Sequence, residues 1–354
     1  MTLRRIEVSD FRCLESASCV LDRDFTFISG PNASGKTSLL ESIYLLGRGR
    51  SFRSRRLDNL IRRGSARFLI VGEAEVRDQG LRLGIEGSHE GMRAKVGGQR
   101  VRSLAELAAA LPVQIIDPEV HHLIEEGPSR RRRFLDWGVF HVEHGFVDHW
   151  QRYQQALKQR NAALRAHSPR SLVTAWDPEL LALGRFIHEA RARYVGQLAP
   201  AAQTIAQNLL GLPLELTYHP GWPRDQSFEE ALAGGVSHDE ERGTTHAGPH
   251  RAELVIRLDG TPVKDRISRG QQKLVAASLL LAQLRCFPEE ASVRPTLLLD
   301  DPSAELDNVR LLALIREVSR HSLQLIVTSL NDAFSAFGSP GRRYRIAAGK
   351  LQET

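Results

Sequence analysis

Three cysteines, two methionines and an aromatic content of 6% are spread over 354 residues. Cys13, Cys19 and Cys286 have no metal-ligand spacing, so they read as reduced thiols, and neither a disulfide framework nor a cysteine-held metal is expected. Thirteen histidines, His121, His122 and His246 among them, show no ligand spacing with cysteine or glutamate, which argues against zinc. No apolar run reaches the roughly 18 residues that a membrane helix needs. Met1, Thr2, Leu3, Arg4 and Arg5 lead into a strand-like pattern instead of an apolar signal segment, so the expectation is a soluble cytoplasmic protein with no membrane partner. Internal repeats and sustained heptads are also missing, which excludes a solenoid or an extended coiled coil.

What is present is basic and globular. A hydrophobic fraction of 42% supports one large domain or two ordinary ones. The formal charge is +6 and the pI near 9.5, a balance that favours a polyanionic partner. Arginine is concentrated over 48–63 and again in Arg130, Arg131, Arg132 and Arg133. Either run also fits a solvated helix face. In the second, Phe134, Leu135 and Trp137 suggest a packed helix with two arginines exposed and the others paired.

Alternation predicts strands over 3–8 and 25–29, and helical spacing follows over 38–46. Short alternating runs separated by glycines over 67–101 read as an antiparallel meander. Strand patterns vanish over 118–210, where amphipathic stretches predict an inserted helical lobe. Proline, glycine and a polar segment over 211–243 mark its exit. The pattern then returns to α/β: a strand over 252–258, a helix over 271–286, a buried strand over 296–299, a helix after Asp307 and a buried strand over 323–327. The expected domains are an N-terminal part of an α/β lobe (1–117), a mainly helical insertion (118–243) and the C-terminal part of the lobe (244–354).

Three separated strings carry the chemistry. Gly30, Pro31, Asn32, Ala33, Ser34, Gly35, Lys36 and Thr37 lie between the predicted strand and helix. Glycines there let successive N–H groups point at phosphate oxygens, with Lys36 reaching the β- and γ-phosphates and Thr37 a magnesium ion. Thr296 and three leucines end in Asp300 and Asp301, as a buried parallel strand delivering carboxylates would. Asp300 is expected to hold magnesium and Asp301 to polarise the attacking water or to join the magnesium shell. Ser268, Arg269, Gly270 and Gln271 precede an apolar helix that Ser268 can cap. Shortly before an acidic strand, this string matches ATPases that trap ATP between two subunits, which makes ATP-dependent homodimerisation the expectation.

The order of these strings resembles the ABC-type heads of SMC-like chromosome and repair ATPases, and more closely their bacterial recombination-mediator family. Val8, Ser9, Asp10, Phe11 and Arg12, the segments 127–137 and 248–254, and the run from Asp300 to Asp307 carry the likeness together with the glycine loop. The resemblance implies an ABC-type (SMC-like) ATPase head of α/β class, with an N-terminal antiparallel β subdomain and an inserted helical lobe. It implies that Arg12 lies near the nucleotide, that Ser303, Ala304, Glu305, Leu306 and Asp307 touch the opposing subunit, and that a glutamine loop falls within 114–119. It implies DNA at gaps between single and double strands, recombinase loading, and RecR and RecO as partners. ABC-type sites usually carry glutamate at the place of Asp301 and histidine at that of Ser329, so turnover is expected to be weak, slow and DNA-stimulated. Arg48, Arg50, Arg53, Arg55 and Arg56 are the expected phosphate contacts. The competing readings are the ATPase subunit of an ABC transporter and a nucleotide-gated protein scaffold.

Overall fold

The computed structural model describes residues 2–76, 79–288, 293–331 and 337–354, without the side chains of Val76, Asp265, Arg266 and Glu305. The chain divides into two units, one of Met1–Val120 with Glu289–Thr354 and the other of His121–Pro288.

The first unit holds two six-stranded sheets. In the antiparallel one, Thr2–Phe11 pairs with Leu14–Val20 on one side and Arg67–Val76 on the other, and the predicted meander continues through Gln79–Ser88, Gly91–Val96 and Gln99–Arg100. Its alternation has a simple cause: Leu3, Ile6, Val8 and Phe11 are buried while Arg4 and Arg5 face water. The second sheet runs Lys350–Glu353, Arg342–Ala347, Phe25–Ser29, Gln324–Ser329, Thr296–Asp300 and Val113–Ile116. All of its pairings are parallel except the terminal hairpin. Phe25–Ser29, Gln324–Ser329 and Thr296–Asp300 are buried at every position, hence their continuous apolar text. Helix Lys36–Arg48 supplies Leu39, Leu40, Ile43 and Leu46 to one core shared with Ile70, Ile85, Leu298 and Ile326, so a single apolar cluster joins both sheets.

The second unit is built on helices Pro128–Val142, Phe146–Arg165, the 34-residue Asp177–Leu210, and Arg269–Arg285. A small antiparallel sheet joins Leu214–His219, Glu253–Leu258 and Thr261–Pro262. Glu253–Leu258 has its long pairing with Leu214–His219, and Arg269–Arg285 packs on Asp177–Leu210. Packing therefore carries this unit on to Pro288, past the boundary at 243 drawn from composition. In the arginine run, Arg131 is buried against Glu253 (2.7 and 2.8 Å), Arg132 donates to the Ala252 carbonyl (2.8 Å), Arg130 pairs with Glu126 (2.6 Å), and only Arg133 is exposed. Among the described residues no helix is long and apolar enough to cross a membrane.

Two arginines are wholly buried here. Arg160 donates to Asp177 (2.8 Å), Asp239 (2.7 Å) and Thr245 (2.9 Å), and Arg191 to Asp136 (2.8 Å) and the Pro249 carbonyl (2.7 Å). These bonds tie the segment after the helices back onto them. Arg160→Met would leave the Asp177 and Asp239 carboxylates without their buried counter-charge, and a loss of about 3–5 kcal/mol is expected from urea unfolding of the variant.

Candidate nucleotide site

Parallel pairing brings the C-terminal ends of Phe25–Ser29, Gln324–Ser329 and Thr296–Asp300 to one edge of their sheet, with Ser29 opposite Ser329 and Asp300 opposite Thr328. The Gly30 N–H donates to the Ser329 carbonyl at 3.2 Å, which fixes where the glycine loop departs. A Cβ at Gly30 would lie 2.2 Å from the Ile346 carbonyl oxygen, so nothing larger fits there. Gly35 has a φ of +112°, and a Cβ on it would meet Leu14 at 2.7 Å. Helix Lys36–Arg48 begins at Gly35 with no side-chain cap and no acid in its first turn, leaving its first amides for an anion.

Lys36 is buried and donates to the carbonyls of Gly30 (2.7 Å) and Pro31 (3.0 Å). Burial pulls its ammonium below the ordinary lysine value, against the opposing pull of Asp301 and Asp300. The Ser34 hydroxyl is buried and has no hydrogen-bond partner among the described residues. Thr37 Oγ1 donates to Asp300 Oδ2 at 2.8 Å, and Thr328 Oγ1 to Asp300 Oδ1 at 2.7 Å. Burial raises the Asp300 carboxyl above the usual carboxylate range, partly offset by these two hydroxyls. Thr328 is a member the motifs do not reveal, because it lies inside an apolar strand.

Asp301 is left-handed (φ +46°), with its N–H on the Thr328 carbonyl (3.1 Å) and one carboxylate oxygen accepting from Ser303 (3.2 Å). Ser303 and Ala304 are exposed, Leu306 half-buried, and Asp307 caps helix Asn308–Val318; the side chain of Glu305 lies outside the described residues. Ser268 caps Arg269–Arg285 through a reciprocal box with Gln271, Ser268 and Arg269 being exposed and Gly270 and Gln271 half-buried. Gln114 is buried inside its strand opposite Leu297, so the segment beyond that strand's tip begins at Asp117.

Arg12 grips Glu41, its Nη2 at 2.6 Å and Nε at 2.9 Å from the carboxylate oxygens. Glu41 is fully buried one helical turn beyond Thr37, and it also accepts from Ser51 and from Arg53 (3.3 Å). Arg50, Arg53, Arg55 and Arg56 are exposed. Arg48 departs from the outward set: half-buried, it lies over the Tyr44 ring at 5.5 Å, and burial lowers its guanidinium below the ordinary value. The reason is its place on the last turn of the helix, four residues after Tyr44.

A glycine loop fed by a buried parallel strand, with a neighbouring strand's carboxylate bonded to its threonine, makes this molecule an ABC-type, SMC-like ATPase head. The chain belongs to the RecF/RecN/SMC N terminal domain family, whose model matches residues 2–346. It is 38% identical to the DNA replication and repair protein RecF of Yersinia pestis bv. Antiqua over 99% of each chain. With the protein of that name in Vibrio campbellii the identity is 37%, over 99% of this chain and 100% of the relative. Among solved structures it is similar to the recombination mediator protein RecF-ATP in the RecFOR pathway, with a TM-score of 0.88, 26% identity, and coverage of 100% of this chain and 97% of that one. The Smc head domain from Pyrococcus furiosus, bound to the C-terminal domain of ScpA, shares the fold alone, at a TM-score of 0.63, 17% identity, and coverage of 100% and 96%.

Because burial raises Asp300 above its unfolded value, its ionised form costs the folded state stability at neutral pH and nothing below the unfolded carboxylate pKa of about 3.9. Asp300→Asn is therefore expected to raise the urea midpoint of the nucleotide-free protein at neutral pH, the gain fading as the pH falls through the raised folded value and being gone once it reaches the unfolded one. Glu41→Gln removes the carboxylate shared by Arg12 and Arg53. A loss of about 2 kcal/mol is expected, below the range for a fully buried pair because Arg53 is largely exposed, with faster amide exchange over 50–56.

Proposed function

We propose that this chain is an ATP-gated DNA-binding protein of recombinational repair and replication, pairing with a second copy on ATP and parting from it after slow hydrolysis. The contact of Thr37 with Asp300 at the mouth of the glycine loop carries this reading (2.8 Å). Likeness over nearly the whole chain to proteins named DNA replication and repair protein RecF, and to a RecF-ATP structure, supports it.

The amides and side chains of Gly30, Pro31, Asn32, Ala33, Ser34, Gly35, Lys36 and Thr37 bind the triphosphate. The unpartnered Ser34 hydroxyl and the uncapped start of helix Lys36–Arg48 fit such a ligand. Thr37 and Asp300 form the pair of hard oxygen donors that suits magnesium. Bound Mg-ATP supplies the phosphoanhydride bond and neutralises its charge. Asp301 orients the attacking water and takes its proton. An aspartate reaches less far than the glutamate usual in such sites, and Ser329 offers no imidazole, which supports slow turnover. Arg12, held by Glu41, borders the nucleotide.

Ser268, Arg269, Gly270 and Gln271 of one copy seal the triphosphate held by the other. Ser303, Ala304, Glu305, Leu306 and Asp307 meet the partner, next to Val309 and Leu312, which leave apolar surface 78% and 42% exposed. The functional ATPase lobe combines 1–117 with 244–354 around the helical insertion 118–243, although packing joins 244–288 to that insertion. Arg50, Arg53, Arg55 and Arg56 contact backbone phosphates with little sequence preference. The RecFOR pathway named for the similar structure supports RecR and RecO as partners. On this reading the chain acts at gapped DNA in the cytoplasm, with recombinase loading as the outcome.

Fluorescence anisotropy with gapped DNA, with and without ATP, is the primary test, and nucleotide-independent or absent binding would reject the reading. Ser268→Arg is expected to abolish ATP-dependent pairing in light scattering while single chains still bind nucleotide. Asp301→Asn should keep pairing and lower turnover by about 100-fold or more. Lost nucleotide binding in that variant would assign Asp301 to the magnesium shell instead. Arg53→Glu combined with Arg55→Glu should flatten the salt dependence of DNA binding by roughly one logarithmic unit per lost phosphate contact.

A further inference from the structure

We infer that His121, His122 and Glu125 form a site for a divalent transition-metal ion, zinc by its ligand chemistry, at the first turn of the second unit. Spacing along the chain gave no such signal, because an i, i+1, i+4 set becomes a cluster only when the backbone turns. Helix His122–Glu125 makes that turn, with His121 as its N-terminal flank. It lays Glu125 one turn above His121, and His122 joins from the neighbouring position.

One ligand atom of each residue lies within 4.8 Å of the other two. His121 Nε2 is 3.7 Å and His122 Nδ1 3.8 Å from the same oxygen, Glu125 Oε2. These separations exceed the roughly 2.7–3.2 Å of a nitrogen–oxygen hydrogen bond. They approach the spacing of groups sharing one ion, since bonds of about 2.0–2.2 Å put tetrahedral neighbours roughly 3.4 Å apart. The two imidazoles lie close and tilted against each other, 4.6 Å between centroids at 35°. Exposure of 12% for the His121 side chain, 35% for His122 and 33% for Glu125 leaves a solvent path and room for a fourth ligand.

Two imidazoles and one carboxylate suit zinc far better than magnesium, which takes oxygen donors. The cluster is thus chemically separate from Thr37 and Asp300. It also occupies the residues at which the chain enters His121–Pro288 directly after Val120. An ion there would pin the first turn of that unit.

The test titrates Zn²⁺ into the full-length, nucleotide-free protein against a chromogenic chelator at about pH 7.5, with Co²⁺ absorption as a second readout. One ion per chain is expected. His122→Ala and Glu125→Gln should each weaken binding at least tenfold and together abolish it, with circular dichroism confirming the fold. His122→Gln serves as the gentler variant should alanine disturb the turn. Affinity should fall as the pH is lowered, because imidazoles must release protons to bind. Zinc binding that is equal in wild type and the double variant, or no binding above the chelator, overturns the proposal.

Discussion

One hydrogen bond, from Thr37 to Asp300, closes the site across 263 positions of chain. It can form only because Phe25–Ser29 and Thr296–Asp300 flank Gln324–Ser329 in parallel register, so that the ends of three buried strands share an edge. A sheet covered on both faces demands apolar residues along its strands, which leaves their tips as the place for polar chemistry. A carboxylate there is energetically uphill, as the upward shift of Asp300 records, and the hydroxyls of Thr37 and Thr328 offset only part of the cost. What remains favours any cation that can take their place.

Glu41 extends the same logic to the basic segment. Thr37 and Glu41 occupy one face of helix Lys36–Arg48, a turn apart. A fully buried carboxylate without counter-charge would be prohibitive. Arg12 from the end of the first strand and Arg53 from the arginine-rich segment supply that charge. Arg53 thus ties the arginine-rich segment to the helix that follows the glycine loop through a charged contact with Glu41.

Local patterns were readable wherever the chemistry is local. The glycine loop shows itself because turn, lysine and threonine fall within a few residues. Asp300 and Asp301 show because an apolar run ends in acids, and Ser268 because a serine followed three residues later by glutamine announces a helix start. Pairings across the fold left no such trace. Glu41 sits in helical text as an ordinary polar position, and nothing nearby names Arg12 or Arg53. Arg48 and Arg50 look alike in sequence, yet Arg48, still helical, folds on Tyr44 while Arg50, past the helix, faces water. Glu253–Leu258 has strand composition, but its partner at Leu214–His219 decides the unit to which it belongs. The aspartate at 301 has a backbone reason: left-handed φ is tolerated by Asp far better than by glutamate or other long side chains.

The last two strands, Arg342–Ala347 and Lys350–Glu353, come late in the chain and are partly exposed. Their position gives them a different standing. The Ile346 carbonyl fills the space a Cβ would need at Gly30, its Cδ1 lies 3.2 Å from where one would stand at Gly35, and Gly349 N–H holds the Ser34 carbonyl at 2.9 Å. Tyr344 pins the strand by accepting from Val20 N–H (3.1 Å) and donating to its carbonyl (2.8 Å). The C-terminal hairpin is thus the floor beneath the glycine loop, and trimming it would undermine that loop without deleting any of the loop's own residues.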